Sequence, residues 1–378
     1  MGPAHVQVPG KELDDRGTKM HSNKPNRREA KRLGAMAVAA ILLLETVMPA
    51  YATVSQLPGL YVTPPDANLL FTLDDSGSMK SDALPDFSLT GVDYSAMPSS
   101  SFFSPARKLP DMWGSGSGYL NKTYYASNNG IARYMRSAAG NPLYYDPAVL
   151  YVPWPQAGTN TSPMAAALPG AVNIHSDDPT NASRTIDLNT RVGAAGEANG
   201  YWPATYYVYK GATPLKFATP TDPNNTSANF TKYEIQGSTG TGTFPKAATR
   251  KDCVTTANLC TSAEEMKNFA NWLQYYRNRR LMAKGAAAAA FATQGTNLRV
   301  GFAMIGKSTV VQRGVRPFSG TDRTDFFTKL YTTASSDGGT PLRKAMQDVG
   351  EYFRTTTGVN GPWAVSYTHL TLPTKRIV

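Results

Sequence analysis

A short apolar segment that leads into a polar loop constrains this chain more than any other feature. Leu69–Leu73 (LLFTL) is a continuous apolar run, and Asp74–Ser78 (DDSGS) follows it directly. A continuous run of this length is typical of a strand that is buried on both faces. In open α/β sheets, ligands bind at the carboxyl ends of such strands. The sequence therefore predicts a buried strand that delivers a ligand-binding loop.

The second half of the chain alternates between helical and strand patterns. We predict one long amphipathic helix from Ser262 to about Thr293, because Ser262–Glu265 (SAEE) is a capping-box pattern and apolar residues follow at helical spacing. This alternation predicts an α/β fold with a doubly wound, mostly parallel sheet. The other predicted elements are strands at Leu298–Ile305 and Thr309–Phe318 and helices at Asp322–Tyr331 and Pro341–Arg354.

Residues 81–261 differ in composition from the segments on either side of them. They contain tyrosine pairs, proline-rich turns, the flexible tract Gly237–Thr243 and short alternating segments such as Tyr206–Lys210. These patterns indicate short strands joined by long loops. We therefore predict a discontinuous α/β domain, formed by residues 53–80 and 262–365, with a β-rich and loop-rich insertion at 81–261.

The N-terminal region resembles a targeting segment. Five basic residues between Lys24 and Arg32 precede the apolar run Leu33–Leu44, and Ala50-Tyr51-Ala52 follows it. This order is typical of a secretory signal peptide. The run has roughly 12 residues, fewer than the ~20 that span a bilayer, so a retained anchor is the weaker alternative. We predict a signal peptide at 1–52, with 1–19 as an over-extended start, and an exported chain with no later membrane span.

The only two cysteines and the net charge give further limits. Cys253 and Cys260 are seven residues apart and could close a small disulfide loop in an oxidising compartment. Zinc is disfavoured because no other His or Cys lies nearby at ligand spacing. The formal net charge is +11, but the basic residues are scattered and no nucleic-acid motif is present. We predict a Cys253–Cys260 disulfide and no nucleic-acid partner.

Three oxygen-bearing side chains alternate along the loop after the first strand: Asp74, Ser76 and Ser78. Mg²⁺ takes about six oxygen ligands and commonly retains water, so a site with few carboxylates leaves room for an outside ligand. The alternative is a serine-rich turn that binds no metal. An EF-hand is excluded because the loop lacks the acidic spacing and the closing glutamate.

Two segments resemble von Willebrand factor type A domains. Leu69–Met79 (LLFTLDDSGSM) is similar to the opening strand and metal loop of these domains. Gly338–Leu342 (GGTPL) is similar to the loop that contributes a threonine to the same metal. On the residues alone, Thr340 could instead be a helix N-cap followed by Pro341. The resemblance implies a metal-ion-dependent adhesion site, with Mg²⁺ preferred and Mn²⁺ or Ca²⁺ as alternatives, formed by Asp74, Ser76, Ser78 and Thr340.

Two longer segments resemble PilC/PilY-type type IV pilus biogenesis proteins and tip adhesins. They are Asn268–Ala286 (NFANWLQYYRNRRLMAKGA) and Asn141–Trp154 (NPLYYDPAVLYVPW). On the residues alone, both would be interpreted as core packing. The resemblance implies an exported adhesin or assembly factor located in the periplasm, at the outer membrane surface or at the pilus tip. Its partners would be pilus subunits, assembly proteins, or a host or surface ligand with an acidic group.

The chain departs from this resemblance after Pro362. Type A domains normally have a further buried strand with another metal-binding aspartate in a TDG-like segment, and none follows here. The C-terminal β-propeller of the pilus family is also not found. Ser366–Val378 (SYTHLTLPTKRIV) resembles a translated sequencing adapter, so we predict a non-native tail. We expect this fragment to bind metal weakly and to fold marginally.

The sequence offers little support for catalysis. His175 is the only histidine between the predicted signal and the predicted tail, and we expect it at the surface. Ser76 and Ser78 lie in neither a G-x-S-x-G elbow nor an S-x-x-K pattern, so an exported hydrolase ranks third. The second hypothesis is a scaffold without metal, in which the α/β domain presents tyrosines of the insertion for protein or glycan contact.

Overall fold

The computed structural model describes most of the chain after its N-terminal region. The described residues are 66–80, 82, 130–158, 162–193, 200–212, 226–355 and 361–363. The predicted signal peptide at 1–52 and the predicted tail at 366–378 lie outside them. In this part of the chain, no helix combines the length and the apolar character needed to cross a lipid bilayer.

The elements of the described residues follow one another in chain order. The strands are β1 (Ala67–Leu73), β2 (Val172–Asn173), β3 (Thr185–Ile186), β4 (Thr205–Tyr209), β5 (Phe230–Glu234), β6 (Thr243–Pro245), β7 (Leu259–Thr261), β8 (Leu298–Met304) and β9 (Val311–Pro317). The α-helices are α1 (Gly130–Met135), α2 (Ser262–Tyr275), α3 (Arg279–Ala292), α4 (Gly320–Thr332) and α5 (Leu342–Arg354). The two strands and two helices predicted after residue 297 are confirmed, with ends that differ by at most two residues.

Three strands form a mixed sheet in the order β1-β8-β9. β1 pairs in parallel with β8, so Leu73 lies opposite Met304 and both strands end at the same edge. β9 pairs with β8 in the antiparallel direction. The α/β class is confirmed. The mostly parallel, doubly wound sheet stays a prediction, because one of these two pairings is antiparallel.

Helices cover both faces of this sheet. Successive side chains of a strand point to opposite faces, so the contacts of neighbouring β8 residues show which helices lie on each face. Val300, Phe302 and Met304 of β8 belong to a core cluster that also contains residues of α3 and α4, such as Phe291 and Phe326. The intervening Ala303 belongs to a smaller cluster that contains Ala345 of α5. β8 is therefore the central strand and is buried from Arg299 to Met304.

β1 is less buried than the sequence predicts. We expected a strand buried on both faces, but Leu69 is 43% exposed and only Leu73 of the strand is buried. Within the described residues, β1 pairs with β8 alone and forms an edge of the sheet. A continuous apolar run does not distinguish an edge strand from a central one, so the prediction for this strand was wrong in degree.

The predicted long helix is interrupted. The structure has two helices, α2 and α3, separated at 276–278. Asn278 has an extended backbone, and its side chain accepts a hydrogen bond from the Leu281 amide at 2.8 Å, so it begins a new helix. The first cap also differs from the predicted one: the capping box joins Thr261 and Glu264, one residue earlier than Ser262. The prediction of one continuous helix was wrong. The apolar periodicity continues across 276–278 and therefore does not reveal that Asn278 begins a second helix.

The described part of the insertion folds around α2. Its strands form three separate antiparallel pairs: β2 with β3, β4 with β5, and β6 with β7. Tyr144, Tyr145 and Tyr206 are buried in one core cluster with Phe269 and Trp272 of α2. The Trp272 indole donates to the Leu143 carbonyl at 2.9 Å. Long loops are ordered here by aromatic packing against one helix.

Side-chain amides of α2 bind the backbone of the insertion. Asn268 accepts from the Tyr151 amide at 2.8 Å and donates to the Val149 carbonyl at 2.8 Å. Asn271 accepts from the Ala167 amide at 2.9 Å. Residues three apart lie on one side of a helix, so these amides form a column that replaces the missing strand partners of the loops.

The cysteines and a buried ion pair close one end of this region. Cys253 and Cys260 are joined by a disulfide, with their Cα atoms 4.9 Å apart. Arg250 donates to Glu265 of α2 at 3.1 Å, and both side chains are fully buried. Glu265 also accepts from the hydroxyl of Tyr145 at 2.8 Å. Each charge is thus compensated within the core.

Candidate metal centre

The loop after β1 holds the three predicted donors close together. Asp74 Oδ1 accepts a hydrogen bond from the Ser76 amide at 2.8 Å, which leaves Oδ2 for another partner. Ser76 Oγ and Ser78 Oγ lie 3.1 Å apart. Ser76 is buried and Ser78 is exposed. The three side chains therefore form a compact set of oxygen atoms that solvent can reach from one side.

The second predicted loop contacts the first one. The Gly77 amide donates to the Gly338 carbonyl at 2.9 Å. A side chain at position 77 would place its Cβ 3.1 Å from the Asp337 carbonyl oxygen, a tight contact that favours glycine here. The structure brings together the two sequence-distant turns, although their contact is made by Gly77 and Gly338 and not by Thr340.

Thr340 is exposed and lies just before α5. The residue that caps α5 is Pro341, and no side chain makes a capping hydrogen bond there. The alternative interpretation of Thr340 as an N-cap is therefore wrong. Its hydroxyl group is not used to cap the helix and lies two residues beyond the contact with Gly77.

Asp75 ties the two loops to the sheet, a role that the sequence analysis missed. This fully buried carboxylate accepts from the Gly306 amide at 2.5 Å and from the Ser336 amide at 2.9 Å. Gly306 lies just beyond the carboxyl end of β8, and a Cβ there would come within 2.8 Å of Asp75 Oδ1. One buried side chain thus fixes the ends of both parallel strands and the second loop.

Asp337 adds a second carboxylate near the loops, but two cations surround it. Lys80 forms an ion pair with Asp337 Oδ2, and Arg280 Nη2 donates to Asp337 Oδ1 at 3.0 Å. Burial acts to raise the pKa of Asp337, but the hydrogen bonds from Lys80 and Arg280 outweigh it and lower this pKa. The residue has a left-handed backbone, with φ of 58°, which aspartate tolerates better than most residues. No local sequence pattern marks Asp337 as part of the site.

The oxygen donors fit a small divalent cation. All four predicted residues offer hydroxyl or carboxylate oxygen, the ligands that Mg²⁺ takes. Adjacent ligands of an octahedral Mg²⁺ are about 3.0 Å apart when each lies ~2.1 Å from the ion. Ser76 Oγ and Ser78 Oγ share a hydrogen bond at 3.1 Å, so their separation is already close to that spacing. Asp74 would supply the one carboxylate, and the two serines would supply neighbouring ligands.

Within the described residues, a further group of potential ligands is already committed to other contacts. Cys253, Cys260 and Glu265 have ligand atoms within 4.8 Å of one another. The two sulfur atoms form the disulfide, and Glu265 pairs with Arg250. This cluster is therefore part of the core of the insertion and not a metal site.

A basic pair lies beneath the loops. Arg280 at the start of α3 and Lys284 one turn later are both fully buried. Burial lowers the pKa of Lys284 to about 8, although Asp177 opposes the shift. No local sequence pattern indicates that Asp177, 103 residues earlier in the chain, is the partner of Arg280.

His175 is not the surface residue that the sequence suggests. It is half-buried, and its Nδ1 accepts hydrogen bonds from the amides of Asp177 at 3.3 Å and Asp178 at 3.2 Å. Burial lowers the pKa of His175, although these two aspartates oppose the shift. The imidazole shapes a turn of the insertion.

Curated relatives confirm the resemblance to PilC/PilY-type proteins. The chain is 29% identical over 343 residues to the type IV pilus biogenesis factor PilY1 of Pseudomonas aeruginosa strain PAO1. This alignment covers 87% of the chain. It is 28% identical over 358 residues to PilY1 of strain PAK, with the same coverage. The chain spans about a quarter (24%) of the length of these relatives.

Two other comparisons gave no match. No protein-family model matches the chain. No solved structure matches it either. The similarity to PilY1 connects this chain to a pilus-associated factor. The evidence about its chemistry comes from the geometry of the two loops.

Proposed function

We propose that this chain is part of an exported, type IV pilus-associated adhesin or assembly factor that binds acidic groups through a divalent cation. Asp74, Ser76, Ser78 and Thr340 would hold the cation, with Mg²⁺ preferred and Mn²⁺ or Ca²⁺ as alternatives. The observation that carries the proposal is the contact of the two loops at Gly77 and Gly338, beside hydroxyl groups spaced like adjacent metal ligands. The similarity to PilY1 supports the pilus context.

The charges around the loops favour an acidic partner. A bound divalent cation supplies a positive centre with coordination positions left for a carboxylate oxygen. Among the proposed ligands, only Asp74 carries a negative charge, so the site would keep a net positive charge. Asp337 lies nearby, but Lys80 and Arg280 neutralise it. Asp337 would therefore add little repulsion toward an approaching carboxylate.

The similarity to PilY1 supports the proposed location and partners. PilY1 is named as a pilus biogenesis factor, so we propose that this chain acts in the periplasm, at the outer membrane surface or at the pilus tip. Pilus subunits, assembly proteins or an acidic surface ligand would be its partners. Binding, and not catalysis, is the proposed activity.

Replacement of both serine hydroxyls tests the metal site. We expect Ser76→Ala with Ser78→Ala to lower Mn²⁺ or Mg²⁺ affinity by about a hundredfold in isothermal titration, because two adjacent ligands are lost. The matched control is Ser183→Ala with Ser227→Ala, two exposed serines of the insertion. Equal affinity in both double variants would disprove the metal role of the loop.

A second experiment separates the proposal from the metal-free scaffold. Pilus-dependent adhesion should be lost in EDTA and restored by Mg²⁺ if the cation binds the partner. Adhesion that persists in EDTA supports the scaffold. The structure gives the scaffold no added support, because many described tyrosines of the insertion, including Tyr144, Tyr145, Tyr201 and Tyr206, are buried.

A further inference from the structure

One carboxylate of the insertion reaches the loop that precedes Thr340. Asp177 Oδ1 accepts a hydrogen bond from the Ser335 hydroxyl at 2.8 Å. The same oxygen accepts from Arg280 Nη1 at 2.6 Å. Asp177 is 6% exposed, so water competes weakly for these bonds. A residue outside both metal loops therefore contacts the segment that leads into the second loop.

Arg280 extends this contact to the first loop. Its Nη2 donates to the Ser76 carbonyl at 3.2 Å and to Asp337 Oδ1 at 3.0 Å. The guanidinium group is planar and rigid, so Nη1 and Nη2 cannot move independently. Because Asp177 holds Nη1, it also determines where Nη2 meets Ser76 and Asp337. One buried arginine thereby joins the insertion and both loops of the candidate site.

Lys284 fixes the segment that leads into the second loop. Its ammonium group donates to the carbonyls of Asp177 at 2.9 Å, Tyr331 at 3.1 Å and Thr333 at 3.1 Å. The backbone at Asp177 and the backbone two residues before Ser335 thus share one buried cation. This buried ammonium group links the two segments directly.

The Asp177 turn is itself held from α3. The Asn278 side chain, which caps α3, donates to the Ser176 carbonyl at 3.1 Å. The Asp177 amide donates to His175 Nδ1 at 3.3 Å. Asp177 is therefore presented by a fixed turn of the backbone and not by a freely moving loop.

We infer that Asp177 is a positioning residue for the candidate metal centre, so that the insertion forms part of the site. Asp177 orients Ser335 and Arg280, which order the second loop and the Ser76 backbone. This inference rests on the proposed metal-binding function. Outer groups that orient metal ligands commonly change affinity by about 10–100-fold when removed. Asp177 would act at that level without touching the cation.

The test compares two charge-neutralising variants of the insertion. Asp177→Asn should lower Mn²⁺ affinity by about tenfold or more, since it removes the charge that holds Arg280 and Ser335. In the metal-free chain, it should also speed amide hydrogen exchange at Ser336 and Gly77, whose amides bind Asp75 and Gly338. The control is Asp187→Asn, whose exposed carboxylate binds only its own turn, through Asn189 and Thr190.

Ser335→Ala provides a milder second variant. Asp177→Asn leaves Arg280 buried with fewer anionic partners and could unfold the chain. Ser335→Ala removes one hydrogen bond to Asp177 and strands no charge. We expect it to lower Mn²⁺ affinity about threefold to tenfold and to speed exchange at Ser336, a structural readout that needs no metal.

The outcomes separate this inference from the proposed function. If both Asp177→Asn and Ser335→Ala keep the Mn²⁺ affinity and exchange rates of the unmodified chain, the inference is overturned. If the unmodified chain binds no Mn²⁺, the proposed function fails, and the exchange data alone decide whether Asp177 orders the loops. Ser76→Ala with Ser78→Ala should lower Mn²⁺ affinity about a hundredfold and keep slow exchange at Ser336.

Discussion

The sheet region and the insertion region satisfy their backbone hydrogen bonds in different ways. The sheet region, formed by β1, β8, β9 and α3–α5, places them in strand ladders and helices. The insertion region is formed by the described residues of 130–261 and by α2. Many of its backbone groups form their hydrogen bonds with side chains. Asn268, Asn271 and Gln274 of α2 each bind a backbone amide more than 100 residues earlier in the chain.

This difference determines how much each region depends on single residues. A ladder bond is made by backbone groups that every non-proline residue has, so most side chains can be changed without loss of the bond. A bond from an asparagine side chain is lost with that side chain, and the backbone group is then buried without a partner. Polar substitutions should therefore damage the insertion region more than the sheet region.

The largest effect is expected at the buried ion pair of the insertion region. Glu265→Ala leaves Arg250 and the hydroxyl groups of Tyr145 and Tyr206 without their shared acceptor. We expect the free energy of unfolding to fall by about 3–5 kcal/mol in denaturant titrations followed by tryptophan fluorescence.

The matched variant in the sheet region is Asp325→Ala. Asp325 pairs with Arg313, but its side chain is 51% exposed. We expect this change to cost less than about 1 kcal/mol, because solvent screens the pair. Similar losses in the two variants would remove the proposed difference between the regions.

A smaller effect is expected at the amide column of α2. Asn268→Ala removes the partners of the Tyr151 amide and the Val149 carbonyl and should cost about 2 kcal/mol. Hydrogen exchange should quicken at the Tyr151 amide and stay slow at Phe302, in the centre of β8. Faster exchange at both amides would mean that the two regions unfold as one unit. The substitution would then not damage the insertion region selectively.

The smallest effect concerns the acid sensitivity of the α2 N-terminus. Burial acts to raise the pKa of Glu264, but hydrogen bonds from the amides of Thr261, Thr255 and Val254 outweigh it and lower this pKa to about 2, from 4.5. A lowered pKa in the folded state stabilises the fold above pH 4.5, and this contribution is lost as the pH falls from about 4.5 to about 2.

Glu264→Gln isolates this contribution from those of the other carboxylates. The difference in unfolding free energy between the unmodified chain and the variant should be largest at pH 6–7 and should shrink below about pH 4.5. Denaturant titrations at pH 7, 4.5 and 3 measure it. A constant difference across this range would show that Glu264 acts through packing and not through its charge.

The same distinction explains what the sequence could predict of the fold. The elements after residue 297 follow apolar periodicity, which backbone ladders and helices share, and they occur where predicted. The break between α2 and α3 depends on the Asn278 side chain and left no trace in the periodicity. The exposure of Leu69 depends on its strand being at an edge, which local sequence does not encode.

The candidate site divides in a similar way. Asp74, Ser76 and Ser78 lie within five residues, so their pattern alone predicts a group of oxygen atoms. Asp75, Asp337 and Arg280 contribute to the site only through the fold. The carboxyl ends of β1 and β8, the two loops and the first turn of α3 meet at one place. Asp177 could not be predicted from local patterns, since its role depends on how the insertion turns back onto α3.

The amide column of α2 also limits the order in which parts of the chain can fold. The backbone groups at Val149, Tyr151, Ala167 and Asn173 precede their partners in α2 by 101–119 residues. A growing or translocating chain exposes these segments before α2 has emerged. Contacts so distant in sequence form slowly, because a long loop must close first. We therefore expect nascent chains that end before residue 262 to be cleaved readily by proteases, and resistance to appear only once residue 278 is free to fold.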